Sequence, residues 1–287
     1  TIIRFHGASL NDLKGRENIT ILMDFMKNGS LADIIEKVQT DQLPQEFDNT
    51  NKQIILVGIS RAMMLLHSQN LINGNLKPEN VLIDDDYKPH LTDFCLLKIF
   101  ESGLSKNPCC GTAAYMAPEV ITSDILNEKT DVYSFGILMF EVVTGTRAYS
   151  EQSNKGFISA ANLLMKVTNG FRPIFSTEVK RTLKQMIEKC WSEDPNDRPT
   201  FSEIYNKLSL TEYGYFTESK NDDEMFNLSN KFCFDDVDVQ KLFSYVNEIR
   251  DETKVEKNDE EMESLKKEIE TQKKEIEELK KEINKMK

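Results

Sequence analysis

Between Val132 and Val143 the chain is apolar on nearly every side of a helical wheel. A helix of that kind cannot lie on a surface, so other elements must wrap it. The rest of the sequence supplies the wrapping. Ser30, with Asp33 three residues on, reads as a capping box opening a helix over Leu31 to Val38. Thr50 or Asn51 opens a longer helix through Ile54, Ile55, Ile59, Met63 and Leu66, whose spacing is helical. Ala160 to Val167, Val179 to Cys190 and Phe201 to Leu208 read as further helices, punctuated by Pro173, Pro195 and Pro199. Ile2–Phe5 and Ile19–Met23 are short β-rich runs joined by a polar turn, and Val81–Ile83 and His90–Thr92 flank an Asp84-Asp85-Asp86 turn. Two short hairpins followed mostly by helix is an α+β layout.

Composition then breaks. Up to about Leu210 apolar runs alternate with turn signals, whereas Val255 to Lys287 is almost entirely Glu, Lys, Ile and Leu. The net charge is −12; the stretch from Thr211 holds 22 acidic and 14 basic residues, leaving −4 for the rest. That balance disfavours nucleic acid and anionic membrane as partners. No apolar run approaches the roughly 18 residues of a membrane span, and no secretory signal is visible. Cys95, Cys109, Cys110, Cys190 and Cys233 show no Cys-x-x-Cys spacing and read as reduced thiols of an intracellular, cytoplasmic protein. For Cys109-Cys110 an incidental loop pair is favoured over a redox or metal pair. The chain opens at Thr1 in strand-like sequence, which reads as a fragment or a truncated gene product.

Several motifs fall in one order along the chain. They are Asn73-Gly74-Asn75-Leu76-Lys77-Pro78-Glu79-Asn80, Asp93-Phe94-Cys95, Ala117-Pro118-Glu119, Asp131-Val132-Tyr133-Ser134-Phe135-Gly136, and Trp191 with Asp197-Arg198-Pro199. Together they resemble a eukaryotic protein kinase domain of Ser/Thr type, in the tyrosine-kinase-like group. The resemblance covers residues 1–210 and implies a protein-kinase-like fold: a partial small lobe at 1–27 and the helical large lobe at 28–210. An acidic linker with one amphipathic helix (211–254) and a coiled coil (255–287) would follow.

The resemblance also assigns roles. Asn80 and Asp93 would be the two Mg²⁺ ligands, supplying an amide oxygen and a carboxylate. Lys77 would sit beside the transferred phosphate of ATP, and Thr112 would bond to the catalytic loop. Leu82 would lie under the adenine, Met23 would be the gatekeeper, and the backbone of Asp24 and Met26 the hinge. Glu119 and Arg198 would form a buried ion pair anchoring the activation segment, and Asp131 would start the central helix.

The departures matter equally. Asn75 stands where the family has its catalytic Asp and cannot accept a proton; a general base contributes typically about 10²–10⁴-fold. Gly74 replaces an Arg that reads a phosphorylated activation loop, Asn73 a His that packs on the metal-motif Phe (here Phe94), and Cys95 a Gly. No Gly-rich loop and no Val-Ala-Ile-Lys-like strand occurs in the chain. Weak or absent ATP and Mg²⁺ binding is therefore expected.

In the tail, Val237 to Ile249 is amphipathic, with Val239, Leu242, Phe243, Val246 and Ile249 on one face, which favours packing back on the large lobe. Beyond it Met262, Ile269, Ile276 and Ile283 fall at heptad position a, and Leu265, Gln272, Leu279 and Met286 at d. Glu261, Glu268, Glu275 and Glu282 at g face Lys266, Lys273, Lys280 and Lys287 at e in a parallel homodimer. The alternative is a lone solvated helix laced by i,i+4 Glu–Lys pairs.

The expected function is a catalytically impaired pseudokinase acting in signalling as a dimeric scaffold or regulator with other signalling proteins. The alternatives are an active Ser/Thr kinase lacking part of its small lobe in this gene product, and a coiled-coil interaction protein with a relic lobe.

Overall fold

The computed structural model describes residues 1–12, 14, 16–42, 47–92, 113–150, 158–209, 234 and 236–255. The heptad stretch 256–287 lies outside these residues, as do 93–112 and 210–233.

The chain opens with an antiparallel hairpin, β1 (Phe5–Asn11) against β2 (Glu17–Met23), pairing Phe5 with Met23 and Ala8 with Ile21. The first strand thus starts where the expected Ile2–Phe5 run ends. Ile2 and Ile3 are drawn away by a distant partner. Ile2 bridges Leu91 in parallel, the Ile3 amide donates to the Leu91 carbonyl at 3.1 Å, and the Leu91 amide donates to Thr1 at 3.0 Å. Both runs are β-prone, but local pattern carries no record of a pairing some 90 residues away.

Past the hairpin the backbone turns at Gly29, whose φ of 73° is the left-handed region that glycine adopts without penalty. A Cβ there would also meet the Asp33 carboxylate at 2.6 Å. The expected capping box follows. Ser30 Oγ accepts from the Asp33 amide at 3.2 Å, and the Asp33 carboxylate accepts from the Ser30 amide at 2.7 Å, opening α1 (Leu31–Gln39). These bonds hold the Asp33 carboxyl below the usual carboxylate range. The next helix, α2 (Asn49–Ser68), starts slightly ahead of the expected Thr50 because the Asp48 side chain caps it, accepting from the Asn51 amide at 3.0 Å. A second hairpin, β3 (Val81–Ile83) with β4 (Pro89–Leu91), pairs Leu82 with His90.

Short α3 (Pro118–Ser123) precedes the centre of the body, α4 (Glu128–Thr144). Val132, Tyr133, Phe135, Ile137, Leu138 and Met139 are buried all round it, as its sequence demands. Each such side chain stabilises by about 1.5–3 kcal/mol. α5 (Ala160–Val167) packs on α3 and the Ala113–Tyr115 turn, and around α4 lie α2, α6 (Arg181–Cys190) and α7 (Phe201–Ser209). Phe135 meets Phe201 with ring centroids 5.3 Å apart. Gly136 lets α6 approach: a Cβ there would lie 2.9 Å from Cys190 Cβ.

The amphipathic segment forms α8 (Val239–Val255), two residues shorter at its start and six longer at its end than its apolar pattern outlines. Val239, Leu242, Val246 and Ile249 are buried against the body and Phe243 is partly buried. That part of the expected linker is therefore packed structure. Among the described residues no helix is long and apolar enough to cross a membrane.

Candidate functional site

The loop from Asn73 to Asn80 connects α2 to β3 and hangs from one buried carboxylate. Asp131, 1% exposed near the start of α4, accepts from the backbone N–H of Asn73 and of Gly74, each at 2.8 Å. It also accepts from His67 Nε2 at 2.9 Å. A carboxylate in this role only accepts, so Nε2 carries the imidazole proton. The Asn73 side chain then accepts from the Asn75 amide at 2.9 Å, an Asx turn. Between them Gly74 sits at φ 70°, where a residue with a Cβ costs about 1 kcal/mol or more. Further on, Asn80 Nδ2 donates to the Asn75 carbonyl at 2.9 Å, and the Thr92 amide donates to the Asn80 carbonyl at 2.9 Å. The loop is thus fixed at both ends and in its middle, with Asn75 half-buried at its centre. Its amide can donate and accept hydrogen bonds, but it cannot take up a proton.

The residues expected to cradle a nucleotide lie on two elements. Met23 ends β2 and is 38% exposed. Leu82 is half-buried in β3, bridged to Ser30. Between Met23 and the Gly29 turn runs the expected hinge. The Asp24 amide donates to the Arg4 carbonyl at 3.2 Å, and the Met26 carbonyl accepts from Gly29 at 3.2 Å. Neither the Asp24 carbonyl nor the Met26 amide has a backbone partner among the described residues. One acceptor and one donor, two residues apart, suit the hydrogen-bonding edge of an adenine. The Asp24 side chain is engaged elsewhere, with His6 Nε2 at 2.6 Å.

Lys77 opens the Pro78–Asn80 turn with an extended backbone and is half-buried. Asn80 is 7% exposed, and the bond from its nitrogen to Asn75 fixes which end of the amide faces away. That oxygen is a ligand of the type Mg²⁺ takes. The other expected ligand, Asp93, and Thr112 lie outside the described residues, together with Phe94 and Cys95. Among the described residues no three His, Cys, Asp or Glu side chains gather to hold a metal. The hinge, Leu82 and Asn80 fit an Mg²⁺–nucleotide; they account for the adenine edge and one metal oxygen.

Below the loop the expected Glu119–Arg198 pair is bidentate, at 2.6 and 3.0 Å, with the Arg198 side chain fully buried. Arg198 Nε also donates to the Ser192 carbonyl at 2.9 Å and Nη1 to the Lys129 carbonyl at 3.0 Å. Its guanidinium lies 5.1 Å from the Tyr133 ring, and Arg172 sits at the same distance from that ring.

One cluster escaped the motif reading. Glu141, 1% exposed near the end of α4, accepts from the Tyr115 hydroxyl at 2.9 Å and from the Ala148 amide at 2.7 Å. Arg147 lies 3.7 Å from it and pairs with Glu79 of the loop. Burial, only partly offset by Arg147 and these hydrogen bonds, pushes the Glu141 carboxyl up to about 7. The signal was present in the sequence: one acid inside the apolar run from Val132 to Val143.

Comparison with known proteins agrees with this geometry. The family model described as Protein kinase domain matches residues 1–208. The RGS domain-containing serine/threonine-protein kinase A of Dictyostelium discoideum is 36% identical over 157 residues, 55% of this chain and 13% of that protein. A receptor protein-tyrosine kinase of Arabidopsis thaliana is 30% identical over 210 residues, 68% of this chain and 21% of its own length. The protein kinase and PP2C-like domain-containing protein of the same plant is 27% identical over 220 residues, 67% of this chain and 33% of its own. The chain thus spans a third or less of the length of these relatives.

Proposed function

Because the chain belongs to the protein kinase domain family, matched over residues 1–208, we propose that it is a catalytically impaired kinase-like domain serving as a scaffold or regulator in signalling. One observation carries the reading: Asn75 stands at the catalytic-base position of a loop whose frame is otherwise fully bonded, from Asp131 to Thr92. The frame survives without the proton acceptor.

Mg²⁺–ATP, when bound, supplies an electrophilic γ-phosphoryl group whose charge the metal neutralises. The chain's own residues do the remainder. The Asp24 carbonyl and Met26 amide would pair with the adenine edge, Leu82 would lie beneath it, and Lys77 and Asn80 would offer a cation and an amide oxygen to the phosphates and metal. Asn75 can orient an acceptor hydroxyl by hydrogen bonding but leaves its proton in place. Losing a base of that kind slows transfer by about 10²–10⁴-fold.

The test is transfer of labelled phosphate to a generic Ser/Thr peptide by the purified chain. The reading expects no more than a trace; a robust rate abolished by Asp93→Ala would refute it. A second reading, an active Ser/Thr kinase, is favoured by the retained Lys77 and Asn80 and by the Ser/Thr kinase name of the Dictyostelium relative. Under it Asn75→Asp raises the rate strongly.

Self-association through a parallel coiled coil over 255–287, in the cytoplasm and with other signalling proteins as partners, completes the proposal. The unbroken a/d and g/e patterns support it. Sedimentation of the chain cut before Val255 should show monomer where the full chain shows dimer; a dimer in the cut chain sinks this part.

A further inference from the structure

The match to the family ends at residue 208, and α8 lies beyond it. Yet α8 is seated as firmly as the helices within: Leu242 and Val246 are fully buried and Ile249 is 2% exposed. Two groups of polar contacts hold it. At its start, the Asp238 amide donates to Thr50 Oγ1 and Lys241 Nζ to Asn51 Oδ1, both at 2.9 Å, fixing it to the first turn of α2. Farther along, Lys88 Nζ donates to both carboxylate oxygens of Glu248, at 2.8 and 2.9 Å, and lies 5.9 Å from the Tyr245 ring centroid.

Lys88 belongs to the turn between β3 and β4, and Gly58 of α2 makes room for the encounter. A Cβ on Gly58 would lie 2.2 Å from the Tyr245 hydroxyl and 2.5 Å from Pro89 Cγ. So α2, the start of β4 and α8 converge on one point, and only glycine lets them do so.

From this point a bonded path leads to the hinge. The Asp84 carboxylate accepts from the Lys88 amide at 2.8 Å, and the Asp84 carbonyl accepts from Asn28 Nδ2 at 2.6 Å. The Ile83 amide donates to Gly29 at 2.8 Å, the Asn28 amide to Ile83 at 3.2 Å, and the Gly29 amide to Met26 at 3.2 Å. Leu82 sits inside this ladder. Every step from Glu248 to Met26 is a hydrogen bond or a covalent link; the side chains of Lys88, Glu248, Asp84 and Asn28 carry the outer steps and backbone bonds the last ones.

We infer that α8 is an intramolecular strap that braces the β3–β4 turn and, through it, the hinge and the floor beneath Leu82, so that events in the C-terminal segment are transmitted to the cleft. The two states are α8 docked and α8 released, and the contacts at Lys88, Pro89 and Gly58 exist in the first alone. That the braced cleft is a nucleotide site rests on the preceding reading; the mechanical coupling does not.

Amide hydrogen exchange on the full chain tests the coupling without nucleotide or turnover, so failure of the kinase reading and failure of the strap are separable. Leu242→Asp puts a charge into the buried face of α8. Exchange should then rise about tenfold or more at 239–250, at 81–91 and at 26–30, while 181–190 in α6 stays unchanged. Unchanged exchange at 81–91, whether or not 239–250 opens, overturns the strap. If 181–190 opens as well, the body has unfolded and a charge swap decides. Lys88→Glu alone and Glu248→Lys alone should each speed exchange at 81–91 by about threefold, and the double variant should restore it. A double variant as open as the singles overturns the proposal.

Discussion

The β1–β2 hairpin and the α4-centred body both carry apolar sequence and treat it in opposite ways. In α4, Ile137, Leu138 and Met139 are wholly buried; in the hairpin and just past it, Ile21 is 47%, Leu22 50% and Phe25 89% exposed. The body closes on itself, with Arg198 paired to Glu119 and the Asp131 carboxylate hydrogen-bonded by His67 and the loop amides. The hairpin rests on the body by backbone pairing of Ile2 and Ile3 with Leu91 and contributes little to the core. The candidate cleft lies where they meet, so its floor (Leu82, Asn80) is held by hydrogen bonds and burial and its rim (Met23) is exposed. The difference teaches that the stability of this chain resides in the body, while the apolar side chains of the hairpin lie largely outside the core.

That contrast can be broken in graded ways. Arg198→Ala leaves Glu119 with an unpaired charge in a largely buried site and should cost about 3–5 kcal/mol in chemical denaturation. A loss below 1 kcal/mol would mean that the body's ion pair is ornamental. Leu138→Ala and Leu22→Ala make the same change in the two regions. The first should cost about 2–5 kcal/mol, the second within about 0.5 kcal/mol. Equal losses would erase the distinction.

Acidity offers a third handle. With its folded carboxyl pushed up to about 7, Glu141 holds its proton more tightly folded than unfolded. Its contribution is fully present below about pH 4.5 and is lost as pH rises through about 7, by up to about 3 kcal/mol. Glu141→Gln should flatten this part of the stability–pH curve. A variant curve that keeps the wild-type slope between pH 4.5 and 7 would show that Tyr115, Ala148 and Arg147 already offset the burial. The smallest effect belongs to the loop: Gly74→Ala should cost about 1 kcal/mol from its left-handed backbone, read as a lower denaturation midpoint with unchanged slope.

Local signals in the sequence were reliable where the structure is locally determined. The Ser30–Asp33 box, the all-round burial of α4 and the limits of α5 needed nothing beyond neighbouring residues. Glu119 and Arg198 were paired only through what the family resemblance implies, and the structure joins them across 79 residues. What sequence could not carry was partnership at a distance. Ile2 and Ile3 read as a strand of the hairpin because their true partner, Leu91, leaves no mark on their pattern. The length of α8 was misjudged because its last turn continues past the apolar stripe, and its early start was overread because Val237 is buried without being helical. Arg147 carries no motif signal, and only the structure sets it against Glu79 and Glu141. The expected Asp93 and Thr112 fall outside the described residues, so the metal site is legible from Asn80 alone.

Asn73-Gly74 is the kind of dipeptide that ages fastest in proteins, because the glycine amide attacks the asparagine side chain to close a succinimide ring. Here that amide nitrogen is held by Asp131 at 2.8 Å, and the Asn73 oxygen is held by Asn75. The nucleophile and its target are each pinned to another partner. The fold thus acts as a chemical preservative at this Asn-Gly step, one of three in the chain with Asn28-Gly29 and Asn169-Gly170, and deamidation at Asn73 would serve as a clock for how often the loop lets go.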